Sequence, residues 1–112
     1  MPRRIESINE LLKQELSRFI RQEIELPANS LVTITKVITT PDLKIAKIYI
    51  TILPDKLRGT ILELLNKKTR LLHEKLKEEL NTKFIPNLKF LIDEQELFAN
   101  QIEQILDEIN KG

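Results

Sequence analysis

Two alternating apolar stretches, set far apart, constrain this chain more than anything else in it. One is Pro41-Asp42-Leu43-Lys44-Ile45-Ala46-Lys47-Ile48-Tyr49-Ile50, and the other is Ile85-Pro86-Asn87-Leu88-Lys89-Phe90-Leu91-Ile92-Asp93. A period of two places alternate side chains on one side only in an extended strand. In the first stretch Ala46, Ile48, Ile50 and Ile52 share a face, and Ile45, Lys47, Tyr49 and Thr51 share the other. In the second, Leu88, Phe90 and Ile92 form the face to be buried, and Pro86 stands at the strand start, where its missing N–H does little harm. The sequence between them is basic and helix-forming. Two strands bracketing a basic helical pair suggest a small nucleic-acid-binding module rather than an enzyme.

The remaining segments supply the other elements. Ile5, Ile8, Leu12, Leu16 and Phe19 recur at spacings of three and four, with Leu11 and Ile20 beside them, which predicts an amphipathic helix over residues 3–24. Residues 31–39 are rich in Val, Ile and Thr and read as a strand, paired as a hairpin with the next one. Its alternation slips, since Val32 and Ile34 are followed by Val37; an extra residue near Thr35-Lys36, a bulge, restores the phase. Asp42 is read as fixing the turn between these strands. Pro54-Asp55 ends the second strand and starts a helix with Leu57, Ile61, Leu64 and Leu65 on its apolar side. The polar run Asn66-Lys67-Lys68-Thr69-Arg70 then interrupts, and Leu71, Leu72, Leu76 and Leu80 resume the pattern. A break near residues 67–70 is expected, with Asn66 and Thr69 able to cap the new helix. Asp93 with Glu96 has capping-box spacing, and Phe98, Ile102, Ile105 and Ile109 give the last helix its stripe. The order is α-β-β-α-α-β-α, an α+β domain with a three-stranded sheet covered by helices.

At 112 residues the chain is expected to form one domain, residues 1–112. It has no cysteine and one histidine, His73, so neither a disulfide framework nor a convincing metal site is expected. His73 is read as structural or RNA-facing. Asp42 and Asp93 have no partner carboxylate at a spacing that suggests acid–base chemistry. No apolar run is long enough to cross a membrane, and the start, Met1-Pro2-Arg3-Arg4 followed by Glu6, Glu10 and Glu15, resembles neither a signal nor a transit peptide. A cytoplasmic protein is the default expectation. The net charge of +1 hides an asymmetry. Residues 54–83 hold eight basic and five acidic side chains; residues 84–112 hold two basic and six acidic.

This order resembles a type II KH domain, and the residue match is narrower. Arg4-Ile5 and Glu15-Leu16 in the first helix, Asp42-Leu43 followed by Ala46-Lys47-Ile48-Tyr49-Ile50, and Pro86-Asn87-Leu88-Lys89-Phe90 with Asp93 three residues on resemble the ribosome-binding factor A (RbfA) family, over residues 3 to 106. The resemblance implies a KH-like fold that binds the small (30S) ribosomal subunit and its 16S rRNA during late maturation and rRNA processing. It implies no catalysis, no cofactor and no small-molecule substrate, and a monomer is expected. Where KH domains carry a GxxG loop and this family an Ala-x-Gly kink, the chain reads Lys68-Thr69-Arg70; the only nearby glycine is Gly59. Side-chain contact with phosphate from Lys67, Lys68 and Arg70 is the expected substitute for close backbone contact.

Lys67, Lys68, Arg70, Lys75 and Lys77 form the best candidate RNA site, opposed within residues 66–77 by Glu74 alone. Phosphate oxygens need cationic donors, and backbone binding to RNA is mainly this term. Charge alone leaves a merely solvated helix face open, and the resemblance favours RNA. Arg4, Lys13 and Arg18, with Arg21, make a second candidate patch. Lys47, on the strand face of Tyr49 and placed by the hairpin together with Lys36 and Lys44, makes a third. Five aromatic residues are too few for a platform that reads several bases. A different class remains as the alternative: a protein–protein adaptor acting through an exposed amphipathic terminal helix.

Overall fold

The computed structural model describes residues 2–82, 84–95, 102, 105–106 and 109. Helix α1 spans Pro2–Glu23, strand β1 Leu31–Thr39, strand β2 Ile45–Leu53, helix α2 Arg58–Lys67, helix α3 Thr69–Leu80 and strand β3 Asn87–Ile92. A short 3-10 turn, Asp55–Leu57, leads into α2. Residues 94–95, 102, 105–106 and 109 are helical. Through β3 the element order is the one the sequence predicts; most of the expected last helix, Phe98 included, lies outside the described residues.

β1 and β2 pair antiparallel, from Leu31↔Leu53 to Thr39↔Ala46, and β3 adds parallel to β2, from Ile45↔Asn87 to Ile50↔Ile92. A parallel neighbour needs a crossover connection, and α2 with α3 supplies it. The inward side chains of the sheet are Ile34, Val37, Ala46, Ile48, Ile50, Ile52, Leu88 and Phe90. They pack on Leu12 and Leu16 of α1, Ile61 and Leu65 of α2, and Leu72 and Leu76 of α3, all six withdrawn from water. Burying each such side chain contributes about 1.5–3 kcal/mol before entropy is counted. α1, α2 and α3 all lie on this face, so they cover the sheet on one side only.

The phase slip in β1 is a bulge. Register shifts between Ile34 and Lys36, leaving Thr35 as the extra residue, and Ile34 and Val37 both reach the core. The Thr35 hydroxyl donates to Asp93 Oδ2 at 2.5 Å, and the Asp93 N–H donates to the Ile50 carbonyl at 2.8 Å. Asp93 is buried and ties the end of β3 to β1 across β2. It directly precedes helical residues 94–95; the Glu96 half of the expected capping box lies outside the described residues.

At the hairpin tip, Leu43 N–H donates to the Thr40 carbonyl at 2.8 Å. Asp42 Oδ1 accepts from the Thr40 hydroxyl at 2.6 Å and from the Lys44 N–H at 3.1 Å. These bonds, led by the Thr40 hydroxyl, hold the Asp42 carboxyl below its ordinary pKa. Asp42 thus fixes the turn, as its position in the sequence predicts. Leu43 follows in the left-handed region at φ 62°.

The helix break falls at Lys68, inside the expected 67–70 window. Its capping does not follow expectation: neither Asn66 nor Thr69 caps α3 through its side chain. Asn66 reaches β3 instead. Its Nδ2 donates to the Phe90 carbonyl at 3.2 Å, and the Phe90 N–H donates to its Oδ1 at 2.9 Å. β3 is an edge strand, and a carboxamide carries the donor and acceptor its outward backbone needs. Thr69 turns back to donate to the Asn66 carbonyl at 3.1 Å.

Candidate nucleic-acid interface

The break needs no glycine. Lys68 has φ −97° and ψ 5°, in the bridge region open to any L-residue. A lysine therefore stands at the break without a left-handed backbone, and Gly59 lies in the first turn of α2 with open space around its Cα. α3 starts directly after Lys68 with no acidic residue in its first turn. The positive end of the α3 dipole is therefore left for an anion.

Tertiary structure divides the five central cations. Lys67 Nζ lies 3.1 Å from Glu63, and both side chains are 70% exposed, an ion pair that water and a competing phosphate open readily. Lys68 and Arg70 are exposed and meet no carboxylate among the described residues. Lys77 pairs with Glu74 at 3.5 Å along its own helix. Lys75 turns the other way and meets Glu23 of α1 at 3.8 Å. The structure therefore gathers Lys67, Lys68 and Arg70 at the head of α3, and separates Lys75 from them on the α1 side.

The α1 cations are also divided. Arg18 bonds Glu15 at 2.5 Å and Glu79 of α3 at 3.1 Å, and its guanidinium stands 4.6 Å from the centre of the Phe19 ring. The Glu15 hydrogen bond raises the Arg18 pKa further. With Lys75–Glu23, this makes two ion pairs across the α1–α3 seam, so Arg18 and Lys75 fasten two helices side by side. Arg4 is exposed near the start of α1. Lys13 is half-buried, one turn on from Asn9, whose Oδ1 accepts from the N–H and hydroxyl of Thr39 in β1. Lys47 is exposed on the sheet face that α1–α3 leave open.

Between α3 and β3 runs a groove of about 410 Å³ lined by Thr69, Arg70, His73, Glu74, Asn87 and Leu88. His73 is half-buried, with Nε2 2.9 Å from the Ile85 carbonyl, and so pins the loop before β3 to α3. Asn87 N–H bonds Lys44 of the chain leading into β2, and the parallel alternation then turns the backbone of Leu88 outward. The groove thus joins Arg70 to an outward strand edge. Sequence reasoning does not find this edge, because it exists only once β3 is known to be the outer strand. Among the described residues no cluster of His, Asp or Glu is arranged to hold a metal ion.

The comparisons with known proteins agree on one family. The family model for ribosome-binding factor A matches residues 4–106. A ribosome-binding factor A from Macrococcus caseolyticus is 35% identical over 112 residues, covering 99% of this chain and 98% of that protein. One from Thermodesulfovibrio yellowstonii is 33% identical, covering 97% and 92%. Among solved structures, the crystal structure of ribosome-binding factor A from Thermus thermophilus superposes with a TM-score of 0.67 at 21% identity, over 79% of this chain and 93% of that one. A homology model of the same bacterium's protein, fitted into the cryo-EM map of a 30S–RbfA complex, gives a TM-score of 0.63 at 25% identity, over 74% and 88%.

Proposed function

The chain belongs to the ribosome-binding factor A family, and on that premise we propose that it is a non-catalytic assembly factor of the small ribosomal subunit. In this reading it binds the 30S subunit and its 16S rRNA in the cytoplasm, as a monomer, during late maturation and rRNA processing. The observation that carries the reading is the group at the head of α3. Lys68 and Arg70 meet no carboxylate among the described residues, Lys67 is held only by an exposed pair, and the helix dipole points at the same spot. Such a site attracts phosphate and needs no substrate pocket. Its cations act as point charges and a fork on the RNA backbone, while the fold fixes their positions. Occupancy holds one RNA conformation until maturation proceeds.

The test is sedimentation of the tagged protein through a gradient of cell extract at low and moderate salt. Co-migration with free small subunits that fades as salt rises is the expected result. A protein that stays at the top of the gradient at both salts sinks the reading. That outcome favours the adaptor class, for which one observation speaks: Ile102, Ile105 and Ile109 are 41%, 56% and 67% exposed. Protease-resistant packing of that helix in the isolated protein would count against the adaptor.

A further inference from the structure

Helices α1, α2 and α3 lie on one side of the sheet. On the opposite side Glu94 and Gln95 border the Lys36–Tyr49 end, where Lys36 Nζ donates to Gln95 Oε1 at 3.4 Å, and the rest of the face carries none of these three helices. We propose that this open sheet face is a second RNA-contact surface, so that the domain holds one RNA segment against its helix layer and another against its sheet. The inference rests on the RNA-binding reading above and adds a partner surface to it.

The register supplies the reason. Lys47 of β2 stands directly beside Lys89 of β3, and Ile38 of β1 completes the row. Both lysines are exposed on the outward face. Adjacent strands lie about 4.8 Å apart, so two ammonium groups leave the same patch of sheet. The three strands contain no acidic residue, and neither lysine meets a carboxylate among the described residues. Facing like charges weaken a sheet when nothing offsets them. A phosphate offsets them, and lysine serves phosphate as a mobile point charge.

The neighbours fit a backbone contact better than base stacking. Lys36 Nζ stands 4.7 Å from the centre of the Tyr49 ring, so the aromatic face is covered by a cation. Ile38 and Ile45, 46% and 40% exposed, border the lysine row and offer apolar contact to riboses. Lys68 and Arg70 belong to the helix layer, so the two cation groups address different RNA segments across a domain two layers thick.

The experiment uses the full chain and purified immature small subunits. K47E and K89E are each expected to weaken binding roughly 3- to 10-fold and to flatten the salt dependence by about 0.7–0.9 in slope. Either single reversal also turns the like pair into an opposite pair, so the unfolding midpoint should rise while binding falls. A folding defect cannot imitate that combination. A photo-crosslinking p-benzoyl-phenylalanine at exposed Thr33, on the same face, should give an RNase-sensitive adduct on the subunit. Unchanged affinity and slope in both variants, or an adduct with protein alone, or no adduct, overturns the inference. K68E/R70E run in parallel separates the two failures. If it alone loses binding, the sheet-face inference falls and the function stands; if no variant changes binding, both fall.

Discussion

Single residues do much of the positioning, and several do it through partners distant in sequence. Asn66 reads as a helix cap because caps are local; its partner is Phe90, on a strand whose edge position no local pattern reveals. N66A should lower unfolding free energy by about 1–2 kcal/mol in denaturant titrations, since two backbone groups lose their partner. Leu43 sits at φ 62°, a conformation that costs an L-residue roughly 1–2 kcal/mol and glycine far less. L43G is therefore expected to raise stability by about 0.5–1 kcal/mol after glycine's entropy is set against the relief. Asp42 is legible in the sequence, because its partners Thr40 and Lys44 are two residues away. Its folded pKa is depressed, so its contribution is present above the ordinary carboxylate range and is lost as pH falls through the folded value. D42N should melt below the parent at neutral pH, and the gap should close in acid. A gap that widens in acid would reverse this account.

At the level of elements the sequence is a good guide wherever period and phase carry the information. The slip between Ile34 and Val37 marks the bulge, because a pleated strand cannot keep both inward without an extra residue. The polar run after Leu65 marks the break. In α3, Leu72 is fully buried while its neighbour Leu71 is 39% exposed, which one helical step of 100° accounts for. L72A is expected to cost about 2–5 kcal/mol, and L71A less than about 1 kcal/mol. The break itself has a bridge-region geometry that lysine adopts freely. K68G should therefore restore nothing: stability should drop by about 0.5–1 kcal/mol from added chain entropy, and subunit affinity should fall with the missing charge. Higher affinity in K68G would mean that backbone approach, rather than the side chain, limits binding.

Across the whole molecule, the candidate site is legible in part. Runs of charge in sequence are cut apart by helix geometry, which is why Lys75 leaves the Lys67–Arg70 group and joins Arg18 in the α1–α3 seam. Lys89 carries no signal alone; its meaning comes from standing beside Lys47, and that requires the parallel pairing of strands about forty residues apart. The groove between α3 and the β3 edge likewise appears only with the strand order in hand. What results is a two-layer domain whose exposed cations at the helix break are fixed in place by a buried core. In the proposed function these cations hold the small subunit through phosphate. The most direct measurement is the affinity of K68E/R70E for purified small subunits across a salt series, with circular dichroism to confirm the fold. The account predicts a native spectrum, weaker binding at every salt and a log–log slope reduced by roughly 0.7–0.9 for each phosphate that the variant no longer neutralises. A natively folded variant that binds with the parent's affinity and the parent's slope would contradict it.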